Sequence, residues 1–193
     1  MPPAAGTLAA ADRIHFLQRQ IRRYAVLVAV GLLWLGTTGS YRDVCASPPE
    51  PYRVLRVYDG DTILVSGAGK RNVIRLLGID APETSKGKGE PGQPYSRAAQ
   101  RHLADLILNR TVTLAVYGED RYHRLLAVVY YESRDINLAM IQAGLAEVYR
   151  GRTPDGFAKA PYLATEAEAR KTRTGMWQQG DAYVSPIRWK HPR

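Results

Sequence analysis

The stretches Arg53-Val-Leu-Arg-Val-Tyr-Asp-Gly-Asp-Thr-Ile-Leu-Val-Ser66 and Val73-Ile-Arg-Leu-Leu-Gly-Ile-Asp-Ala-Pro-Glu83 decide how this chain folds. They hold three runs with strand character, Arg53–Tyr58, Thr62–Ser66 and Val73–Ile79, rich in β-branched and aliphatic residues. Asp59-Gly60 marks a tight bend after the first run, and Gly67-Ala68-Gly69 a turn after the second. Two more runs follow, Thr111–Val116 and Leu125–Tyr131. Three stretches have helical spacing instead. Ser96–Leu108 places Ala99, Leu103, Leu106 and Ile107 on one face. Asp135 stands where it caps a helix with Leu138 and Ile141 inward, ending near Gly144. Pro161 opens a last helix through Glu166, Glu168 and Arg170 that stops before Gly175.

Five short strands with interspersed helices predict a mainly β protein with α, a five-stranded Greek-key barrel of OB-fold type carrying three helices. The folded domain is expected over residues 52–180, after a proline-rich linker at 47–51 and before a tail at 181–193. Residues 1–46 read as an export signal. A basic stretch ends in Arg22-Arg23, an apolar run spans Ala25–Leu35, a polar segment follows, and Val44-Cys45-Ala46 offers a cleavage site. The apolar run is shorter than the roughly 20 residues of a membrane-spanning helix. An uncleaved N-terminal membrane anchor is the rival reading. The domain is therefore expected to be secreted or periplasmic, or else anchored and facing outside the cytoplasm.

The chain has 193 residues, 45% of them hydrophobic and 23% charged, which is ordinary for a globular protein and excludes wholesale disorder. Its formal net charge is +9. A basic domain is drawn to polyanions, whether nucleic acid, acidic polysaccharide or anionic lipid, although a merely soluble basic surface explains the charge equally well. A single cysteine excludes an intramolecular disulfide and a thiolate zinc cluster. The four histidines are scattered, with no pair spaced to grip a metal from one helix. Any metal here has oxygen ligands.

Acidic residues gather between Val57 and Glu83. Asp61 follows the Asp59-Gly60 bend, and Asp80 and Glu83 flank Ala81-Pro82 at the end of an apolar strand. Carboxylates in proximity repel, and a hard divalent cation removes the conflict. Calcium takes six to eight oxygens from carboxylates, backbone carbonyls and water. Pro82 restrains Ala81 to an extended or turn conformation, from which its carbonyl can face a metal. Spacing alone serves a second reading equally well, in which the aspartates form turns and Glu83 is a loop charge. Arg75 tips the balance. A charge within an apolar strand is costly unless paired or functional, and alternation sets Arg75, Leu77 and Ile79 on one face. Arg124 lies in the polar turn Asp120-Arg-Tyr-His-Arg124. Guanidinium groups bind phosphate oxygens bidentately and keep their charge. Carboxylates, a divalent ion and two arginines are what attack on a phosphodiester requires.

Val57-Tyr-Asp-Gly-Asp-Thr-Ile-Leu64, Arg75-Leu-Leu-Gly-Ile-Asp-Ala-Pro-Glu83 and Asp120-Arg-Tyr-His-Arg-Leu-Leu-Ala127 together resemble the three signatures of the staphylococcal nuclease family. Asn137-Leu, Gly144-Leu-Ala146, Glu168-Ala-Arg-Lys and Gly175-Met-Trp177 are weaker matches, and the resemblance covers about residues 52–180. It implies an OB-fold barrel, one Ca2+ ion, and cleavage of the 5′ P–O bond of DNA and RNA to leave 3′-phosphate ends. By position, Asp61 and Asp80 correspond to carboxylate metal ligands and Ala81 to a backbone-carbonyl ligand. Glu83 corresponds to the general base, and Arg75 and Arg124 to the phosphate-binding arginines. Tyr122 matches a tyrosine near the nucleotide, and Tyr149 a nucleotide-stacking tyrosine, a position for which a structural role is as well supported. Arg121 and Lys86 are further candidates for substrate phosphates. The Lys- and Gly-rich segment Ser85–Pro94 corresponds to a loop beside the active site. Two departures stand out: Ala81 replaces a threonine, which a backbone ligand tolerates, and His123 replaces a glycine, which strains the turn before Arg124 if φ is positive there. The resemblance implies a monomeric endonuclease acting on nucleic acid, with no protein partner. The alternative is a non-catalytic OB-fold module binding nucleic acid or a protein partner. The intact set Asp61, Arg75, Asp80, Glu83 and Arg124 favours the enzyme.

Overall fold

The computed structural model describes residues 50–191, apart from 68, 86 and 88–90. Residues 1–46, expected to be an export signal or anchor, Lys86 and part of the Ser85–Pro94 loop lie outside the described residues. Five strands close a barrel: β1 (Pro51–Val57), β2 (Thr62–Gly67), β3 (Lys70–Leu76), β5 (Thr111–Glu119) and β6 (Leu125–Tyr131). Two-residue strands β4 (Ile79–Asp80), β7 (Arg134–Asp135) and β8 (Glu147–Val148) complete the set. β1 pairs antiparallel with β2 and β5, β2 with β3, and β5 with β6. The parallel pair β3–β6, with Arg75 opposite Leu126, closes the ring. This order fits the OB-fold, and closure removes the exposed edges that an open sheet would offer. Bulges between Val54 and Arg56 and between Val116 and Gly118 supply curl.

Alternation drives the barrel. Val54, Ile63, Val65, Ile74, Val112 and Val129 are essentially inaccessible to solvent and fill its interior. Helix α1 (Ser96–Ile107) lays Ala99, Leu103 and Ile107, one turn apart, into the same core. Helix α2 (Ile136–Gln142) starts where Asp135 accepts a hydrogen bond from the Leu138 amide at 2.8 Å, an N-cap of the kind the sequence indicates. Helix α3 (Ala160–Lys171) follows, with a proline in its first turn. Two helical segments lie beyond the three expected: a 3-10 stretch at Gly175–Ala182, kinked at Gly180, and the short α4 (Pro186–Lys190).

The apolar run Val73–Ile79 is not one strand. β3 begins earlier, at Lys70, and ends at Leu76, because Gly78 adopts φ +80° and turns the chain so that β4 pairs with β8 instead. A Cβ at residue 78 would strike the Phe157 ring, so only glycine fits. Arg75, Leu77 and Ile79 therefore do not share one strand face. The turn is clamped by the fully buried Asn137. Its amide Nδ2 donates to the carbonyls of Leu77 (2.9 Å) and Ala127 (3.0 Å), and its Oδ1 accepts from the Val129 amide (3.1 Å). Truncation would leave the Leu77 carbonyl and the Val129 amide without this partner, each costing about 1–3 kcal/mol, while the Ala127 carbonyl keeps the Leu77 amide at 2.8 Å. Asn137→Ala is therefore expected to destabilise the domain by about 2 kcal/mol or more in denaturant melts, and a loss below about 1 kcal/mol would show that water replaces the clamp.

Candidate active site

The site forms where β2 begins, β3 ends and β4 follows the Gly78 turn. The Asp59-Gly60 bend is an Asx-turn, in which Asp59 Oδ1 accepts from the Asp61 amide at 2.9 Å. A Cβ on Gly60 would lie 2.6 Å from that of Ala81 and 2.7 Å from that of Ala99, so the bend presses directly on β4 and α1. Asp61 accepts at Oδ2 from the Ala81 amide (2.8 Å) and at Oδ1 from the Thr62 hydroxyl (3.0 Å). Asp61 and Asp80 are only 4% and 3% exposed, which makes their charges costly unless compensated.

Arg75 supplies the compensation. Its Nη2 donates to Asp80 Oδ1 at 2.8 Å, and its Nη1 forms an ion pair with Asp61. Register brings them together, since Thr62 stands opposite Arg75 and the Leu76 amide donates to the Asp61 carbonyl at 2.8 Å. The Glu83 amide donates to Gln93 Oε1 at 3.1 Å, and the Gln93 amide donates back to the Glu83 carbonyl at 2.9 Å, tying the ends of the intervening loop. Lys190 reaches in from the far end of the chain, with Nζ 2.9 Å from Asp80 Oδ1 and 2.8 Å from Glu83 Oε1.

One guanidinium and one ammonium do not neutralise three aspartates and Glu83. Burial opposes the charge on Asp61, but Arg75 and the Ala81 amide outweigh it and hold this carboxyl below its usual range. Burial pushes Asp80 upward and the charge of Asp61 adds to that, with Arg75 and Lys190 pulling back. Asp59 is pushed up to about 7 by burial and by Asp61. The cluster is thus short of positive charge, the condition that a hard cation relieves. Among the described residues no three His, Cys, Asp or Glu side chains close into a ready metal cage. The donors that are present, Asp61 and Asp80 with Ala81 between them and Glu83, are oxygens suited to calcium, which accepts water for the rest of its shell. The residues fit such an ion.

Arg124 stands apart from the carboxylates. Its Nε donates to Asp120 Oδ2 at 2.8 Å, and its guanidinium lies 5.5 Å from the Tyr122 ring centre. It precedes Leu126, the partner of Arg75, by two residues, so strand alternation directs both arginines to the same side of the β3–β6 pair. His123 has φ +60°, so the position does require the left-handed conformation. The histidine is accommodated by its amide, which donates to the Asp120 carbonyl at 3.0 Å, and by contact of its ring with Glu119. Arg124 keeps its hold on Asp120 despite the substitution. Tyr122 is 63% exposed and carries Arg121 on its ring at 4.7 Å. Tyr149 is 38% exposed and hangs beside the Gly78 turn, its amide donating to the Gly78 carbonyl at 2.9 Å.

Sequence reasoning missed Gln93, Lys190 and the buried Glu147, which faces Asp80 across the β4–β8 pair and accepts from the Tyr183 hydroxyl at 2.6 Å. Ser185-Pro186 signals the start of α4, but no local pattern tells where its last lysine lands.

The barrel, with its cluster of buried aspartates around Arg75 and Glu83 beside them, defines an OB-fold protein with an acidic pocket at one end of the sheet. The family model described as Staphylococcal nuclease homologue matches residues 73–179, and the chain belongs to that family. It is 33% identical over 147 residues to a protein of Haemophilus influenzae named an uncharacterized endonuclease, covering 76% of each chain. It is 38% identical over 141 residues to one of Escherichia coli O157:H7 with the same description, covering 72% of this chain and 84% of that one. A probable endonuclease of Phaeosphaeria nodorum is 40% identical over 110 residues, covering 54% of this chain and 37% of the fungal protein.

A carboxyl held near 7 in the fold, against about 3.9 unfolded, binds its proton more tightly when folded, so stability falls as pH rises from about 4 to 7. In chelator at pH 8, Asp59→Asn should stabilise the domain by about 1–2 kcal/mol, with the gain vanishing at pH 4. Denaturant melts at the two pH values check this, and a loss of stability at pH 8 would contradict it. At the left-handed turn, His123→Gly should relieve backbone strain by about 1 kcal/mol, read as a rise in melting temperature; a fall would show that the contact with Glu119 outweighs the strain.

Proposed function

We propose that this chain is a calcium-dependent nuclease that hydrolyses phosphodiester bonds of DNA and RNA, breaking the 5′ P–O bond and leaving 3′-phosphate ends. The observation that supports this best is the buried Asp61–Arg75–Asp80 cluster with Glu83 beside it. Family membership and relatives named endonucleases favour the same reading. Asp61, Asp80 and the Ala81 carbonyl would hold the ion, which when bound supplies positive charge at the scissile phosphate. Glu83 takes a proton from water as the water oxygen forms a bond to phosphorus, and the bond to the 5′ oxygen breaks. That oxygen leaves as an alkoxide, which takes a proton from solvent water, and Glu83 returns its proton to solvent. Arg75 offers five donors in a fixed fork, more than the two aspartates engage, and Arg124 adds a second guanidinium for the phosphate oxygens. Tyr122 and Tyr149 present exposed rings on which bases stack, and Arg121 lies against the first of these. The surplus of 27 Lys and Arg over 18 Asp and Glu draws the polyanion to the domain. We also infer export from the order of basic, apolar and polar segments in residues 1–46.

Plasmid DNA and RNA incubated with calcium should be cut, and a chelator should stop both reactions; intact substrate in calcium would refute the proposal. Glu83→Gln keeps the shape and removes the base, so turnover should fall roughly 100- to 10,000-fold with little change in melting temperature. A wild-type rate would exclude Glu83 as the base. Arg75→Ala is the poorer probe, because it takes the ion pair from buried Asp61 and leaves Asp80 to Lys190 alone, a loss of about 3–5 kcal/mol that mixes folding with chemistry.

A further inference from the structure

The carboxy-terminal segment does more than end the chain. Just after the 3-10 stretch, the Tyr183 hydroxyl donates to Glu147 at 2.6 Å, and the carbonyl of Val184 accepts from Gln93 Nε2 at 2.6 Å. Gln93 is itself buried and holds the Glu83 amide with its other side-chain atom, so one residue joins the tail to the loop that carries Glu83. Ser185 caps α4, and the helix delivers Lys190 to Asp80 and Glu83. Its ammonium bridges two carboxylates that belong to the site, where a cation is electrostatically required.

The segment is anchored at Tyr183, whose ring lies 4.6 Å from that of Trp177, and beyond it the attachment is mostly polar. Pro186 is the buried residue of α4, whereas Ile187 is 47% and Trp189 38% exposed. Five helical residues do not hold a helix by themselves in water. The end of the segment therefore depends on what its lysine finds. Asp80 Oδ1 accepts both Arg75 and Lys190, and an ion coordinated at that oxygen would meet the ammonium at like-charge contact.

We propose that residues Tyr183–Lys190 form a strap over the carboxylate site, in which the Lys190 ammonium takes the place of a divalent cation and leaves when such an ion binds. The proposal rests on the metal reading given under Proposed function. The strap keeps the acidic cluster partly compensated and covered until calcium is abundant. A closed strap lowers the apparent affinity for the ion by the fraction of open molecules, since only the open form binds. Burial opposes the charge on Lys190, but Asp80 and Glu83 hold its pKa above the usual lysine value, so it stays charged through neutral pH.

Calorimetric titration of the full chain with calcium chloride tests this. Lys190→Gln should bind calcium roughly three- to tenfold more tightly than wild type, the gain expected for opening a mostly closed site. Lys190→Arg should stay near wild type. Arg188→Gln removes the same charge from the same helix without touching the carboxylates, and its affinity should be unchanged. A second readout is chymotryptic cleavage after Trp189, which calcium should accelerate in wild type and which should already be fast in Lys190→Gln without calcium. Equal calcium affinity in wild type and Lys190→Gln, or a similar gain in Arg188→Gln, overturns the strap. In those cases calcium-dependent cleavage of plasmid still stands as a separate test of the nuclease reading. Absence of calcium binding in every variant overturns both.

Discussion

The ion triad Asp61–Arg75–Asp80 sets the terms for everything around it. Three strands converge to build it, and its members are almost wholly screened from water. A buried carboxylate is tolerated when a guanidinium meets it with good geometry, and Arg75 meets two. Asp59 adds a third acidic group at the same bend and is left without a full positive share. The domain therefore keeps a local deficit of positive charge inside a chain whose formal charge is +9. A basic chain attracts polyanions, and an acidic pocket attracts cations. Those two opposed fields in one small barrel suit chemistry on a phosphodiester.

Barrel closure gives the triad its rigidity. The parallel pairing of β3 with β6 sets Arg75 opposite Leu126 and brings the Asp120–Arg124 turn to the same side. Asn137 then pins the Gly78 turn to β6, so that Asp80 leaves the barrel at a fixed angle. Polar groups buried at this depth specify one arrangement because each alternative leaves a donor or acceptor unpaired. The same logic operates at Glu166, which accepts from the Val148 amide at 2.9 Å and faces Arg150, fixing the β8 strand that lies against Asp80.

The C-terminal strap answers the charge deficit with a side chain. An ammonium on a flexible stem is a good temporary cation, being compact and reversible, whereas a guanidinium locked between two strands is permanent. Arg75 and Lys190 thus divide the compensation of one acidic cluster between a fixed and a removable part.

Much of the molecule was legible in the residues. The β-branched and apolar runs Arg53–Tyr58, Thr62–Ser66 and Leu125–Tyr131, the helical face of Ala99, Leu103 and Ile107, and the cap at Asp135 all follow from local rules of propensity, spacing and hydrogen bonding. So does the suspicion attached to Arg75, because a charge in an apolar run demands a partner. Local pattern failed where the deciding contact was remote. Val73–Ile79 reads as one strand, yet Phe157, far along the chain, leaves room for glycine alone at 78 and breaks the run in two. Register across β2 and β3 put Asp61 on Arg75, and a separation of 110 residues put Lys190 on Asp80. Sequence determined which groups had to be buried, turned or charged, since those preferences act over a few bonds. Tertiary structure decided which charges met, because electrostatic pairing depends on distance in space and is blind to distance along the chain.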